Sequence, residues 1–285
     1  MDSPRTLLRK RGLHPKKSWG QNFLGDPGIL ERIAQASQAG PDDTVVELGA
    51  GLGHLTAALL DLGCHVIAVE RDRDMAAALR DHFGSEPKLQ LLEANAATLD
   101  LATLSPQGTP LTIVGNLPYQ LSSAILFRML DQRALVRRLI FLLQAEFVER
   151  MAAPSGGRDY GVLSIQAQAL AQVTPLFDVP ASAFHPRPSV DSTVVELVPL
   201  AQPRVDAALA PLFTRVVRGA FQQRRKTLSN ALTNAGLTRA KEALQLTHID
   251  GQRRAETLDI EDFVRLATAL QTLGASEPAA APDEP

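Results

Sequence analysis

The residues best able to do chemistry are Asn116-Leu117-Pro118-Tyr119, which follow the apolar run 111–115 and precede a helical pattern beginning near Ser122. An amide oxygen beside a stiffened backbone carbonyl can accept both hydrogens of an aromatic amine. The lone pair of such an amine is delocalised into its ring. Two acceptors, the Asn116 side chain and the Leu117 carbonyl, would raise electron density on the nitrogen and align it for attack on an electrophilic methyl group. Pro118 stiffens the backbone there, and Tyr119 offers a face for a flipped-out base. Methylation makes the nitrogen acidic, so no strong base is required. Taken alone, Asn-x-Pro-Tyr is equally an ordinary turn after a strand.

A second constellation precedes it. Val45-Val46-Glu47-Leu48-Gly49-Ala50-Gly51-Leu52-Gly53 closes a strand with glycines at alternate positions, and Glu70 ends the next strand. Glycines let a ligand approach the backbone, and an acid at that distance can accept both hydroxyl hydrogens of a ribose. The alternate spacing suits a sulfonium cofactor better than a pyrophosphate, which favours GxGxxG at a helix start. A bare tight turn is the competing reading. His54 reads as a helix-surface residue, and Cys64 and His65 as packing at a strand start. No CxxC or HExxH spacing is present, so no metal is expected.

These residues need a scaffold. Apolar runs at Thr44–Leu48, His65–Glu70, 89–92, 111–115 and 139–144 alternate with helical patterns, which predicts a parallel sheet covered by helices. Ligands of such sheets bind outside the carboxyl ends of the strands, where Gly49, Glu70, Asn95 and Asn116 fall. Two further β-like segments between 173 and 198 are expected to extend the sheet as a hairpin, and the pattern turns wholly helical after Pro203. The predicted organisation is a basic arm over 1–24, a catalytic domain over 25–203, a helical domain over 204–273 and a disordered tail over 274–285. With 285 residues, 45% of them hydrophobic, the chain can bury two cores. A formal charge of −2 excludes coating of nucleic acid by overall charge, so any such site is a local patch. One cysteine, no membrane-length apolar run and no secretory signal point to a metal-free cytoplasmic protein, expected to be a monomer.

Four segments in order, Lys17-Ser18-Trp19-Gly20-Gln21-Asn22-Phe23-Leu24, Asn116 to Tyr119, Phe184-His185-Pro186-Arg187-Pro188-Ser189-Val190-Asp191-Ser192 and Phe221-Gln222-Gln223-Arg224-Arg225-Lys226-Thr227-Leu228, resemble the KsgA-type ribosomal RNA adenine dimethyltransferases. The resemblance runs to about residue 270. It implies an α/β, Rossmann-like class I methyltransferase domain with a mostly parallel sheet, followed by a small C-terminal α-helical domain. It also implies S-adenosyl-L-methionine as cofactor, and as substrate 16S rRNA within the small ribosomal subunit or its precursor, where two adjacent adenosines near the 3′ end are dimethylated on N6 during ribosome biogenesis. By the same resemblance Asn22, Leu24, Gly49, Gly51, Glu70, Asn95 and Asn116 hold the cofactor. Phe184 then closes on the second face of the target adenine, opposite Tyr119. Asn95 departs from the family's usual aspartate, a neutral acceptor expected to weaken cofactor affinity.

Lys16, Lys17, Arg187, Arg224, Arg225 and Lys226 are the candidate RNA contacts, the last three on a predicted helix with Arg215 and Arg218 upstream. Each is also readable as solvated surface charge. The arm is expected to order only with cofactor or RNA. Rival functions are an Erm-type enzyme acting on large-subunit RNA, a DNA adenine methyltransferase, and a related binding protein that checks ribosome assembly or acts in transcription.

Overall fold

The computed structural model describes residues 1–274 apart from Pro106 and Arg224, and Lys17 only in its backbone. The expected tail from 275 onward and Arg224 therefore lie outside the described residues.

The first segment is helical. Residues 4–11 form a helix, α1 (Pro4–Arg11), begun by Pro4 and a Ser3 side chain that accepts the Thr6 N–H, and ended by Gly12 at φ +63°. Its adjacent leucines, Leu7 and Leu8, are buried with Phe23, Leu52 and Met75. Burial of two leucine side chains favours this packing whatever the charge of the arm. Next come β1 (Phe23–Leu24) and α2 (Pro27–Ala36), the latter capped by Asp26.

The predicted alternation follows: β2 (Thr44–Leu48), α3 (His54–Asp61), β3 (His65–Glu70), α4 (Arg73–Phe83), β4 (Leu89–Glu93), β5 (Leu111–Asn116), α5 (Ser122–Asp131) and β6 (Val136–Gln144). After α6 (Ala145–Ala152) and α7 (Val162–Gln168), the chain adds β7 (Ala171–Val179), β8 (Phe184–His185) and β9 (Ser192–Pro199). Seven strands make one sheet in the order β4-β3-β2-β5-β6-β9-β7, and β1 pairs separately with β8. Strands β4 to β6 in that order are parallel, and β9 runs antiparallel to β6. Val45, Val46, Leu48, Ile113 and Val114 are wholly inaccessible, as strands covered on both faces require. Because β3 lies on one side of β2 and β5 on the other, the chain reverses its direction of winding at β2. That reversal opens a crevice at the carboxyl ends of these three strands. The Rossmann-like α/β fold with a mostly parallel sheet is as the sequence predicts.

The chain divides into two compact units, 1–148 with 172–199, and 149–171 with the segment from 200 onward. The second contains α8 (Ala210–Phe221), α9 (Leu228–Asn234), α10 (Ala240–Leu246) and α11 (Ile260–Thr272). Phe213, Val216, Val217 and Ala220 recur at helical spacing along α8 and pack with Leu228, Leu232, Phe263 and Leu266. Tyr160, Ile165 and Ala169 belong to the same core. The division therefore differs from a single boundary near 204. Apolar periodicity shows that a helix has a face to bury but not which core receives it.

Candidate active site

The crevice is built by three strand exits. At the end of β2 the backbone turns through Gly49 at φ +77° and Gly51 at φ +56°, and a Cβ on Gly51 would lie 3.0 Å from the Phe23 ring. Only glycine permits that turn and that approach. At the end of β3, Glu70 is buried, and its two carboxylate oxygens each accept one backbone N–H, from Gly51 at 2.8 Å and from Asp72 at 2.7 Å. Burial raises its pKa, and these two N–H bonds oppose the rise. Each oxygen keeps a lone pair for a further donor. Beneath the glycine loop, Glu47 is 1% exposed and accepts the Thr56 hydroxyl at 2.5 Å. Burial lifts its pKa to about 7; the Thr56 bond opposes this and the Glu70 charge adds to it.

At the end of β5, Asn116 donates from Nδ2 to the Asn22 carbonyl at 2.9 Å. That bond fixes which way the amide points and leaves Oδ1 as its acceptor end. Leu117 is 1% exposed and donates its N–H to the Leu142 carbonyl at 3.3 Å, so the backbone carrying the tetrad is anchored to β6. The Tyr119 hydroxyl shares a 2.9 Å hydrogen bond with Ser192 of β9, which holds the ring by its far end. The pKa of Tyr119 is raised, chiefly by burial, so the phenol stays neutral.

One cleft, enclosing about 1060 Å³ of non-protein space with its solvent mouth included, is lined by Asn22, Leu24, Gly49, Gly51, Glu70, Asn95, Asn116, Leu117, Pro118 and Tyr119. That is room for a nucleoside-sized ligand with a base beside it. Ten of the expected site residues, from five separate stretches of chain, thus meet in one place.

Others do not. Phe184 is 5% exposed, belongs to the same buried cluster as Leu24, Leu30, Ile33 and Val194, and lies outside the cleft lining; in β8 it stands opposite Leu24 of β1. Lys16 is bonded to Asp72 at 2.7 Å and Asp74 at 2.9 Å, so its charge is already engaged within the protein. Arg187 is exposed. Arg225 and Lys226 are exposed in the turn between α8 and α9, not on a helix, because a new helix starts after Thr227, whose extended backbone is that of an N-cap. The Lys17 side chain and Arg224 lie outside the described residues.

The family model for ribosomal RNA adenine dimethylase matches residues 12–272. The chain belongs to the ribosomal RNA adenine dimethylase family. A relative named ribosomal RNA small subunit methyltransferase A, from Anaeromyxobacter sp. strain K, is 48% identical over 94% of this chain and 98% of its own. A relative of the same name from Myxococcus xanthus is 46% identical, covering 96% and 97%. Among solved structures, a dimethyladenosine transferase from Plasmodium falciparum superposes with a TM-score of 0.74 at 28% identity, covering 88% of this chain and 98% of that one. The 23S rRNA methyltransferase ErmE gives 0.66 at 26% identity, covering 87% and 99%.

Within this dimethylase site, Asn95 lines the cleft but spends its amide oxygen on the Ala97 N–H at 3.1 Å, capping the turn Ala96–Thr98. An aspartate could cap with one oxygen and accept with the other. Asparagine turned this way presents an NH2 group instead. Four residues escaped the sequence reading. Trp19 and Arg71 line the cleft, the Arg71 guanidinium 3.9 Å from the Trp19 ring centre. Gln21 lines it too, and hydrogen-bonds Asp72. Asp72 is recognisable as the N-cap of α4, but its partners lie 51 and 56 residues away, beyond any local pattern.

Proposed function

We propose that this dimethylase transfers methyl groups from S-adenosyl-L-methionine to the N6 amino groups of two adjacent adenosines near the 3′ end of small-subunit (16S) rRNA, within the small subunit or its precursor. The observation that carries this is the Asn116 amide. Its NH2 end is bound to the Asn22 carbonyl, so its oxygen serves as a preset hydrogen-bond acceptor in the cleft that Glu70 also lines.

The residues present fit the cofactor. Glu70 offers two oxygens, already steadied by backbone N–H groups, to a pair of ribose hydroxyls. Gly49 leaves the backbone bare, its absent Cβ having only the Asn116 carbonyl within 4 Å, at 3.7 Å. Asn22, Leu24, Gly51 and Asn95 complete the set that would hold it. When bound, the cofactor supplies an electrophilic methyl on a sulfonium centre. Asn116 Oδ1 and the Leu117 carbonyl accept the two amine hydrogens, which shifts the nitrogen toward a tetrahedral, nucleophilic geometry. Pro118 limits the motion of that carbonyl. Tyr119, steadied through Ser192, stacks on the base. The exposed Arg187, Arg225 and Lys226 contribute phosphate contacts, alongside Lys17 and Arg224.

The names of the curated relatives direct the choice of small-subunit RNA. The test is mass spectrometry of ribosomal RNA from cells lacking the protein, followed by labelling of separated subunits with the purified chain. We expect dimethyladenosine to vanish from small-subunit RNA and label to enter that particle. Dimethyladenosine that persists there, or label that enters the large subunit, would refute the assignment.

A further inference from the structure

We propose that Asp72 is a positioning residue for methyl transfer, tying the ribose-binding carboxylate Glu70 and the amine-binding amide Asn116 into one hydrogen-bonded unit. The proposal rests on the reading of Glu70 and Asn116 given above.

Asp72 is wholly inaccessible, although neither its own backbone nor its side chain faces the cleft. A buried carboxylate must be satisfied by donors, and this one gathers them from its own turn and from the distant segment 16–21. Its backbone N–H donates to Glu70 Oε1 at 2.7 Å. One side-chain oxygen, Oδ1, accepts the Lys16 ammonium at 2.7 Å and the Asp74 N–H at 3.1 Å, while Oδ2 accepts Gln21 Nε2 at 2.8 Å. Gln21 is used at both ends, since its Oε1 accepts the Lys16 N–H at 2.8 Å. The next residue is Asn22, whose carbonyl orients the Asn116 amide. A continuous path therefore runs from Glu70 through Asp72 and Gln21 to Asn22 and Asn116. Its polarity is fixed: every donor faces an acceptor. Turning Gln21 over would set its NH2 against the Lys16 N–H and its oxygen against Asp72, and turning Asn116 over would set its oxygen against the Asn22 carbonyl.

That polarity supplies the experiment. In Asp72→Asn the new amide has to present its NH2 either to Gln21 or to Lys16 and Asp74, all of which are donors. In Gln21→Glu two carboxylates meet. In the double variant the roles are exchanged: the amide donates to the new carboxylate, whose other oxygen still accepts the Lys16 N–H. The backbone N–H that steadies Glu70 is kept throughout. The single-turnover rate should be measured at saturating S-adenosyl-L-methionine and small-subunit particles, with the cofactor Kd measured separately.

Each single variant is expected to lower the rate about tenfold or more while changing the cofactor Kd less than about threefold, and the double variant to recover to within about threefold of wild type. Single variants within about twofold of wild type would overturn the proposal. So would a loss that the double variant fails to restore, or one matched by an equal loss of cofactor affinity. Hydrogen exchange of the Asn116 side-chain amide, slow in the wild type and in the double variant and fast in the singles, reads the same link without methyl transfer. A wild-type chain that transferred no methyl to small-subunit RNA would remove the substrate assignment, and this exchange measurement would still decide the role of Asp72.

Discussion

The two compact units handle polar groups in opposite ways. In the first, the side chains assigned to chemistry are held in place: Glu70 by two backbone N–H groups, Asn116 by the Asn22 carbonyl, Tyr119 by Ser192. In the second, the buried positions are mostly apolar, as along α8, and the basic residues Arg225 and Lys226 stand exposed in a turn. The contrast follows from what each task needs. Methyl transfer depends on angles and on fractions of an ångström, so its groups need preset geometry. Phosphate attraction is long-ranged and tolerant of direction, so flexible surface cations suffice.

The sharpest way to break this comparison is Asn116→Ala. If preset geometry matters, the methylation rate should fall about 10²- to 10³-fold, the range for losing one oriented polar group at a reacting centre, with RNA affinity unchanged in a filter-binding titration. A loss confined to RNA affinity would erase the distinction between the units.

Next in size is a stability effect seated in the first unit. The folded-state pKa of Glu47, about 7, lies above its ordinary 4.5. The native state thus holds that proton more tightly than the unfolded chain, and the stability this confers is complete below 4.5 and is lost as pH rises through 7. Glu47→Gln should flatten the fall in unfolding free energy between pH 5 and 8 by roughly 3 kcal/mol, as measured by denaturant titration at each pH. An unchanged pH profile would mean that Glu47 does not carry the buried proton.

In the second unit, Arg225→Ala combined with Lys226→Ala should weaken RNA binding about tenfold at moderate salt. The slope of log affinity against log salt should decrease by about 1.4 to 1.8, and the rate at saturating RNA should be kept. A changed saturating rate with an unchanged slope would show that these cations position groups instead of attracting phosphate. The smallest effect expected is at Asn95. Asn95→Asp should tighten S-adenosyl-L-methionine binding a few-fold in calorimetry, because a carboxylate can cap Ala97 and still accept; weaker binding would contradict the placement of Asn95 beside the cofactor.

The strands were legible because each is a short apolar run, and the site because its residues sit just past the strand ends, where a parallel sheet always opens. In the arm basic residues dominate the composition, while two leucines, Leu7 and Leu8, make its buried contacts. A phenylalanine in a proline-rich turn looks equally apt for stacking on a base and for the core, and nothing local in the sequence says that β8 pairs with β1, which seats Phe184 opposite Leu24. Arg225 and Lys226 fall in a turn that no periodicity marks, since charge carries no periodic signal, and Thr227 is the N-cap of the helix that follows.

The sequence by itself therefore determined the strands of the sheet and the residues that follow their carboxyl ends, Asn116 to Tyr119 among them, since these follow from local hydrophobic pattern. Tertiary structure alone decided the partners of those residues: Asn22 for Asn116, Lys16 and Gln21 for Asp72, and the helical core for residues 149–171. Contacts across 50 to 100 residues depend on how whole elements pack, and no spacing along the chain encodes them.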